Sequence, residues 1–366
     1  MATQSSSTHH HATERYHIPD PVVQYRTTSG ARIYRIASEV MPNYHGFSHL
    51  LLGDFPTTLI DTGSGSDESR RNLFCGLERV ASEYGEKFQI SELRRIWLTH
   101  THHDHIGSTA ELVDRSGATV AAHQYDARLL VSWDSNALLT RRATTTIMAE
   151  AGVEGDRLTE LVNAYAMRPK LIRSLSKVDH LFTDGEQIGP FTIHHVPGHS
   201  PGHVLFELEG FVIGGDHLLS RTISQLWPQR MTPFTGYAHA VASLQKLRKF
   251  AESGQVHTLL TGHEDVVTNI SQRVQEVLET HERRNRRVLD LVRQSDQPVT
   301  ASEITDRMYT HRHGFFGFLS VADVVTRLEH LLLCGDVDVS NTAQIATEVA
   351  IPKFTPTRYI PLHMVD

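Results

Sequence analysis

Residues 95–107 read RIWLTHTHHDHIG, and this stretch decides how the rest of the chain is understood. The apolar run has the length of a short buried strand, and it gives way to four histidines and an aspartate. Loops at strand ends are where folds place their chemistry, because the sheet behind holds them still. Neutral imidazole and carboxylate suit divalent cations such as Zn2+ and Fe2+. The absence of a nearby cysteine argues against an iron–sulfur cluster. His100 and His102, as His-x-His on extended backbone, can deliver two donors to one ion. Asp104 and His105 lie one turn further on, at an expected helix start, and do not readily aim at that same ion. They imply a second site beside the first.

Working outward, partners occur downstream. HHVPGHSPGH places His199 in a Gly-Pro turn after a strand, VIGGD ends a strand at Asp216, and LLTGH ends another at His263. Glycine precedes each, which allows close approach of the backbone. With the first cluster they make seven donors, the number that two cations sharing one carboxylate would use.

The same alternation of strand and helix runs through the surrounding chain. ARIYRIA, FSHLLLG and TTLIDTGSG read as strands, DESRRNLFCGLERVASEYG as a helix, and DHIGSTAELVDRSG as one helix closing at Gly117. This is an α/β layered domain, expected over residues 21–267. Residues 124–180 interrupt it with helical segments and no strand-like run. They are an insertion that either caps a pocket or pads the outer surface. Strands return at FTIHHVPG, GHVLFELEG and GFVIGGD. From 268 to 366 the character changes. A long charged helix is followed by a capping box at Thr300 and Glu303, then by an amphipathic helix stopping at Gly335 and a strand. The pattern predicts a linking helix and a winged-helix-like domain. That segment holds 11 Lys and Arg against 13 Asp and Glu, which opposes a DNA-reading role and favours a structural or dimerising one.

Composition narrows the classes further. With 39% hydrophobic and 21% charged residues the chain is globular, and no run reaches the roughly 18 apolar residues of a membrane span. The opening segment, residues 1–20, lacks the apolar core of a signal peptide and is expected to be a disordered tail. Two cysteines far apart, Cys75 and Cys334, predict no disulfide framework and a cytoplasmic setting. The net charge of −7 opposes a nucleic acid as main partner, leaving a small-molecule substrate and a homodimer as the expected associations.

THTHHDHIG, PGHSPGH, GGDHLL and TGHED, in that order, resemble the metallo-β-lactamase-fold hydrolase superfamily, including its glyoxalase-II-like branch. The resemblance covers Ile33 to Val267 and implies an αββα sandwich with metals at one edge. It implies that His100, His102 and His199 hold one ion, that Asp104, His105 and His263 hold a second, and that Asp216 bridges them. LIDTGSG matches a further motif of the family, in which Asp61 orients ligands without touching metal. His203 matches another outer position. His103 and His217 match none and are expected to face outward, and His195 is expected in core or surface.

That set implies two divalent ions, Zn2+ foremost with Fe or Mn also fitting, and a metal-bridging hydroxide as nucleophile with Asp104 assisting proton transfer. Candidate substrate walls are Met41, Tyr44 and His45 on one loop, and Trp227, Met231, Phe234 and Tyr237 on another. Their apolar character points to a thioester or related acyl ester. A phosphodiester or RNA, a lactone, and the mononuclear iron sulfur dioxygenase reaction are the alternatives. His311, His313, Phe315 and Phe316 form a patch expected either to stack on a base or to pack beneath the catalytic part.

Overall fold

The computed structural model describes residues 20–166, 172–310, 313–346 and 358–361. Apart from Asp20, the expected tail lies outside them, as does His311. Four antiparallel strands come first: β1 (Val22–Arg26), β2 (Arg32–Met41), β3 (Tyr44–Gly53) and β4 (Phe55–Ile60). Helix α1 (Asp67–Tyr84) crosses to β5 (Arg95–Trp97), followed by α2 (His103–Ile106), α3 (Thr109–Ser116) and β6 (Thr119–His123). The insertion contributes α4 (Ala127–Val131), α5 (Trp133–Glu150) and α6 (Gly155–Ala166) before β7 (His180–Phe182). These seven strands form one sheet in sequence order, parallel from β4 onward.

A second sheet contains β8 (Gln187–Ile188), β9 (Phe191–His195), β10 (Val204–Leu208) and β11 (Phe211–Gly215). After α7 (Tyr237–Glu252) it gains β12 (Thr258–Thr261), in the order β12-β11-β10-β9-β8. The chain then runs through α8 (Ile270–Arg293), β13 (Val299–Thr300), α9 (Ala301–Met308), α10 (Gly314–Cys334), β14 (Val337–Val339), α11 (Thr342–Ala346) and β15 (Arg358–Pro361). Its three strands make a small sheet ordered β13-β15-β14.

Strand periodicity explains the layering. Successive side chains point to opposite faces of a sheet. Leu59, Ile96 and Val120 therefore pack on Leu73 and Leu77 of α1, while their neighbours Ile60, Trp97 and Ala121 face Phe191 and Phe206 of the second sheet. The outer face of that sheet, with Leu205 and Val212, is covered by Leu244 and Leu247 of α7 and Val274 of α8. The result is helix, sheet, sheet, helix, and each fully buried Leu or Ile in it contributes about 1.5–3 kcal/mol over exposure.

A further cluster joins the insertion to the C-terminal helices. Met148 and Leu161 pack with Val288, Leu291, Phe318 and Leu328. Helix α8 thus belongs to two cores, with its first half against α7 and its second against α10. Inside the second core Arg327 pairs with Asp323 at 2.8 Å and donates to Asn285 Oδ1, while Tyr309 donates to Asp323. The capping box at Thr300 and the left-handed stop at Gly335 are both present.

Three expectations need correction. The helix anticipated over DHIGSTAELVDRSG is broken at Gly107–Ser108. Gly107 N–H donates to Gly63 O at 2.7 Å, and a side chain there would strike the backbone of Ser64 and Gly65. The first insertion helix likewise breaks at Ser132. Strands resume at β7 and β8, earlier than the pattern suggested, because these short pieces carry too few apolar residues to stand out. No helix among the described residues is long and apolar enough to cross a membrane.

Candidate metal centre

The ends of five strands meet at one edge of the sandwich. Asp61 directly follows β4, His100 follows β5, His199 follows β9, Asp216 directly follows β11, and His263 follows β12. Helix α2 adds Asp104 and His105. All seven donors read from the sequence are brought together. Their atoms fall into three overlapping groups, each within 4.8 Å: His100, His102 and His199; His100, His105 and Asp216; Asp104, His105 and His263. The Asp216 carboxylate is common ground, with Oδ1 3.4 Å from Nε2 of both His105 and His263 and Oδ2 3.5 Å from His199 Nε2. Asp104 Oδ2 lies 3.5 Å from His263 Nε2.

Four of the five donor rings are oriented from behind by the other nitrogen. His105 Nδ1 donates to Asp61 Oδ2 at 2.8 Å, His199 Nδ1 to Gln225 O at 2.9 Å, and His263 Nδ1 to His45 O at 2.7 Å. Thr99 Oγ1 donates to Asp61 Oδ2, leaving its oxygen to accept from His100 Nδ1 at 3.1 Å. Such bonds fix the tautomer and turn the lone pair of Nε2 inward. The Nε2 atoms of His100, His105 and His199 and Oδ1 of Asp216 are buried without a hydrogen-bond partner. Leaving four polar atoms unpaired at one point would cost about 1–3 kcal/mol each. A cation there accepts all of them, so these residues fit a metal.

The electrostatics agree. Burial and neighbouring imidazoles hold His100 well below the usual histidine range. Burial also pulls on His105 and His263, yet Asp216 together with Asp61 or Asp104 outweighs it. His105 is driven well above the ordinary value and His263 up to about 10. Although burial opposes it, His263 and His105 keep the Asp216 carboxyl well below the usual range. The carboxylates demand positive charge where the rings converge, and a divalent ion would supply it.

The outer positions are also placed. Asp61 adopts φ 60°, a strained conformation for a non-glycine residue, and accepts from Thr99 N, Thr99 Oγ1 and His105. His203 is buried, stacks on His100 with ring centroids 4.7 Å apart, and donates to Gly214 O. Gly262 has no room for more: a Cβ there would lie 2.5 Å from Asp216 Oδ1 and 2.9 Å from His105 Cε1. His217 is buried rather than outward-facing, and burial lowers it to about 4. His103 is half-buried and lines the cavity beside the donors.

That cavity has a volume of about 810 Å³, within the range of small-molecule sites. His102, Asp104, His199, Asp216 and His263 form part of its wall. Tyr44 lines it and stacks on His263 at 4.5 Å; Met41 and Trp227 line it as well. His45 does not: it acts through its carbonyl on His263. Tyr237 does not either, since its ring lies 4.1 Å from that of His330 on α10. Met231 packs against the C-terminal core, and Phe234 stacks on Tyr125 at the surface. The insertion lines part of the cavity, contributing Leu129, Trp133, Ala137, Arg141 and Tyr165.

Sequence reasoning missed Asp126. Its buried carboxylate accepts from Thr101 N at 3.2 Å, Ser200 Oγ at 3.2 Å and Gly202 N at 2.9 Å, tying the His100–His102 loop to the His199 loop. Burial raises it to about 6 against those bonds. Glu264 was missed too: it accepts from Arg221 N and Thr222 Oγ1, both at 2.6 Å, and so pins the loop beyond Asp216. Neither carries a local signal, being single acidic residues whose partners are remote in sequence.

Two sheets with flanking helices and a histidine–aspartate cluster at the strand ends define a metal-site α/β sandwich. The profile of the metallo-beta-lactamase superfamily matches residues 41–263, and the chain belongs to that family. It is 25% identical over 186 residues to a hydroxyacylglutathione hydrolase of Tolumonas auensis, a match covering 50% of this chain and 53% of that protein. The chain thus spans about half the length of that relative. Among solved structures it resembles a metallo-beta-lactamase family protein from Thermus thermophilus (TM-score 0.70, 22% identity, 90% of this chain and 98% of that one). It also resembles a beta-lactamase domain protein from Burkholderia ambifaria (TM-score 0.61, 17% identity, 94% and 92%). Both likenesses show the fold, and both extend beyond residues 41–263.

Proposed function

We propose that the protein is a binuclear metal-dependent hydrolase of a thioester or related acyl ester, with zinc as its resident metal. One observation carries the reading: Asp216 faces Nε2 of His199 on one side and of His105 and His263 on the other, and it opens onto a large cavity. In this reading His100, His102 and His199 hold one ion, Asp104, His105 and His263 hold the other, and Asp216 is shared. When bound, such a pair activates water at neutral pH and polarises a scissile carbonyl. Asp104, beside His263 and on the cavity wall, accepts the proton released during attack. Asp61, Gln225 and the His45 carbonyl keep the rings in place throughout.

The lining favours an acyl group over a polyanion. Among the described residues that line the cavity, Arg141 is the one Lys or Arg. The relative named hydroxyacylglutathione hydrolase supports an acyl substrate. We read residues 268–366 as a winged-helix-like domain that serves the catalytic part rather than nucleic acid.

The test is metal analysis followed by assays of an acyl thioester and a short RNA side by side. About two equivalents of metal per chain and turnover of the thioester are expected. One tightly bound iron with oxygen consumption, or RNA cleavage without thioester turnover, would overturn the proposal.

A further inference from the structure

The first turn of α10 lies far in sequence from every metal donor, yet Phe315, Phe316 and Leu319 line the same cavity as His199 and Asp216. This turn is held in register with the donors. Gln225 accepts from His199 Nδ1 through its carbonyl, and its side-chain amide donates to Leu319 O at 3.4 Å. On the other side, Glu160 of α6 accepts from Gly314 N at 2.8 Å and from His313 Nδ1 at 3.1 Å. Between these ties Tyr165 stacks on Phe318 at 4.4 Å and packs against Trp227 at 5.5 Å. The wall opposite in chemistry to the donors is therefore built from three separate parts: the insertion (Trp133, Tyr165), the Trp227 loop and α10. Phe316 remains 63% exposed although it lines the cavity, which places it at the mouth. Leu138 and Leu139, next to the lining residues Ala137 and Thr140, are also exposed, at 71% and 53%.

An apolar wall of this size gains nothing from an acetyl or other short acyl group. Each further methylene laid against it is favourable, because it leaves water for hydrocarbon and aromatic contacts. We infer that the preferred substrate carries a long apolar acyl chain rather than a short one, and that Phe315, Phe316 and Leu319 of α10 set this chain-length selectivity. The inference rests on the hydrolase reading for its reaction, but not for its binding surface. It also gives the C-terminal segment a role, which is to close the acyl site rather than to recognise a second macromolecule.

Two readouts separate the claims. The chain has three tryptophans, of which Trp133 and Trp227 line the cavity and Trp97 is packed among phenylalanines of the inter-sheet core. Their emission should respond saturably when the metal-loaded full-length protein is titrated with decanoate, with affinity at least tenfold higher than for butyrate. In Phe316→Ala, whose exposed ring can be removed without emptying a core, that ratio should fall severalfold, and Leu319→Ala should lower it further. Activity is then followed on acyl thioesters from two to ten carbons, where kcat/KM should climb with length in the wild type and flatten in both variants. Turnover that is independent of length, or variants that lose all lengths equally, would overturn the inference while leaving the hydrolase standing. Length-dependent binding with no turnover of any thioester would support the cavity assignment and sink the hydrolase reading instead.

Discussion

The two walls of the cavity are built on opposite principles. On the donor side, the functional atoms sit at strand ends or on the short helix α2, and three of the rings are fixed by a hydrogen bond to a group remote in sequence: His263 by the His45 carbonyl, His199 by Gln225, His105 by Asp61. On the other side, helices α5, α6 and α10 present large apolar groups, some of them partly exposed. The contrast follows from what each side does. Metal donors must be held to fractions of an ångström, whereas an apolar chain tolerates displacement because its binding scales with buried area. Damage to the first wall should therefore abolish function, and damage to the second should retune it.

The largest effect belongs to Asp216. Asp216→Ala should lower kcat/KM by on the order of 1,000-fold or more, since the metal's contribution is several kcal/mol, and should cost about one equivalent of bound metal. The circular dichroism spectrum should be unchanged. Near-normal activity in this variant would break the claim that both donor groups share it. Gly262→Ala is subtler: the added Cβ would press on Asp216 Oδ1 at 2.5 Å, and a displacement of about 1 Å is worth on the order of 100-fold in rate. Steady-state kinetics with metal content in parallel would check it. A loss below tenfold would mean that the donor side is looser than described.

Trp133→Ala probes the opposite wall. Metal content should stay at the wild-type level, and kcat/KM for a long acyl thioester should fall about tenfold, consistent with loss of roughly 1.5–3 kcal/mol of apolar contact partly recovered by repacking. Loss of metal in this variant would erase the distinction between the walls.

An effect on stability rather than on rate concerns Asp126, which burial raises to about 6 in the folded protein, against about 3.9 when unfolded. The folded state then holds the proton more tightly than the unfolded state. This group's contribution is full below about pH 4 and is lost as pH rises through 6, by on the order of 3 kcal/mol. Urea unfolding of metal-free protein from pH 4 to 7 should show wild-type stability falling relative to Asp126→Asn across that window. Parallel curves would contradict the assignment.

How much of this was legible in sequence follows the same division. The donors were readable because THTHHDHIG concentrates four donor residues in one loop, and because His199, Asp216 and His263 each follow an apolar run and a glycine. Strand alternation likewise revealed the layers, since period-two burial is written directly into residues such as Leu59 and Ile60. Asp126 was invisible because its three partners come together only after folding. Tyr237 and His45 were placed on plausible loops, but nothing local distinguishes a side chain facing a cavity from one facing a helix, or from a residue that works through its carbonyl. Phe315 and Phe316 stood out as an apolar patch, while the surface they meet, the Trp227 loop and the insertion, is remote in sequence. The break of the expected helix at Gly107 had the same origin, in a contact with the Asp61–Gly65 loop.

Anomalous diffraction from crystals of the zinc-loaded protein addresses the central claim most directly. Two peaks are expected, one among His100, His102 and His199 and one among Asp104, His105 and His263, with Asp216 reaching both. A single peak lacking Asp216, or metal bound away from the strand ends, would contradict the account.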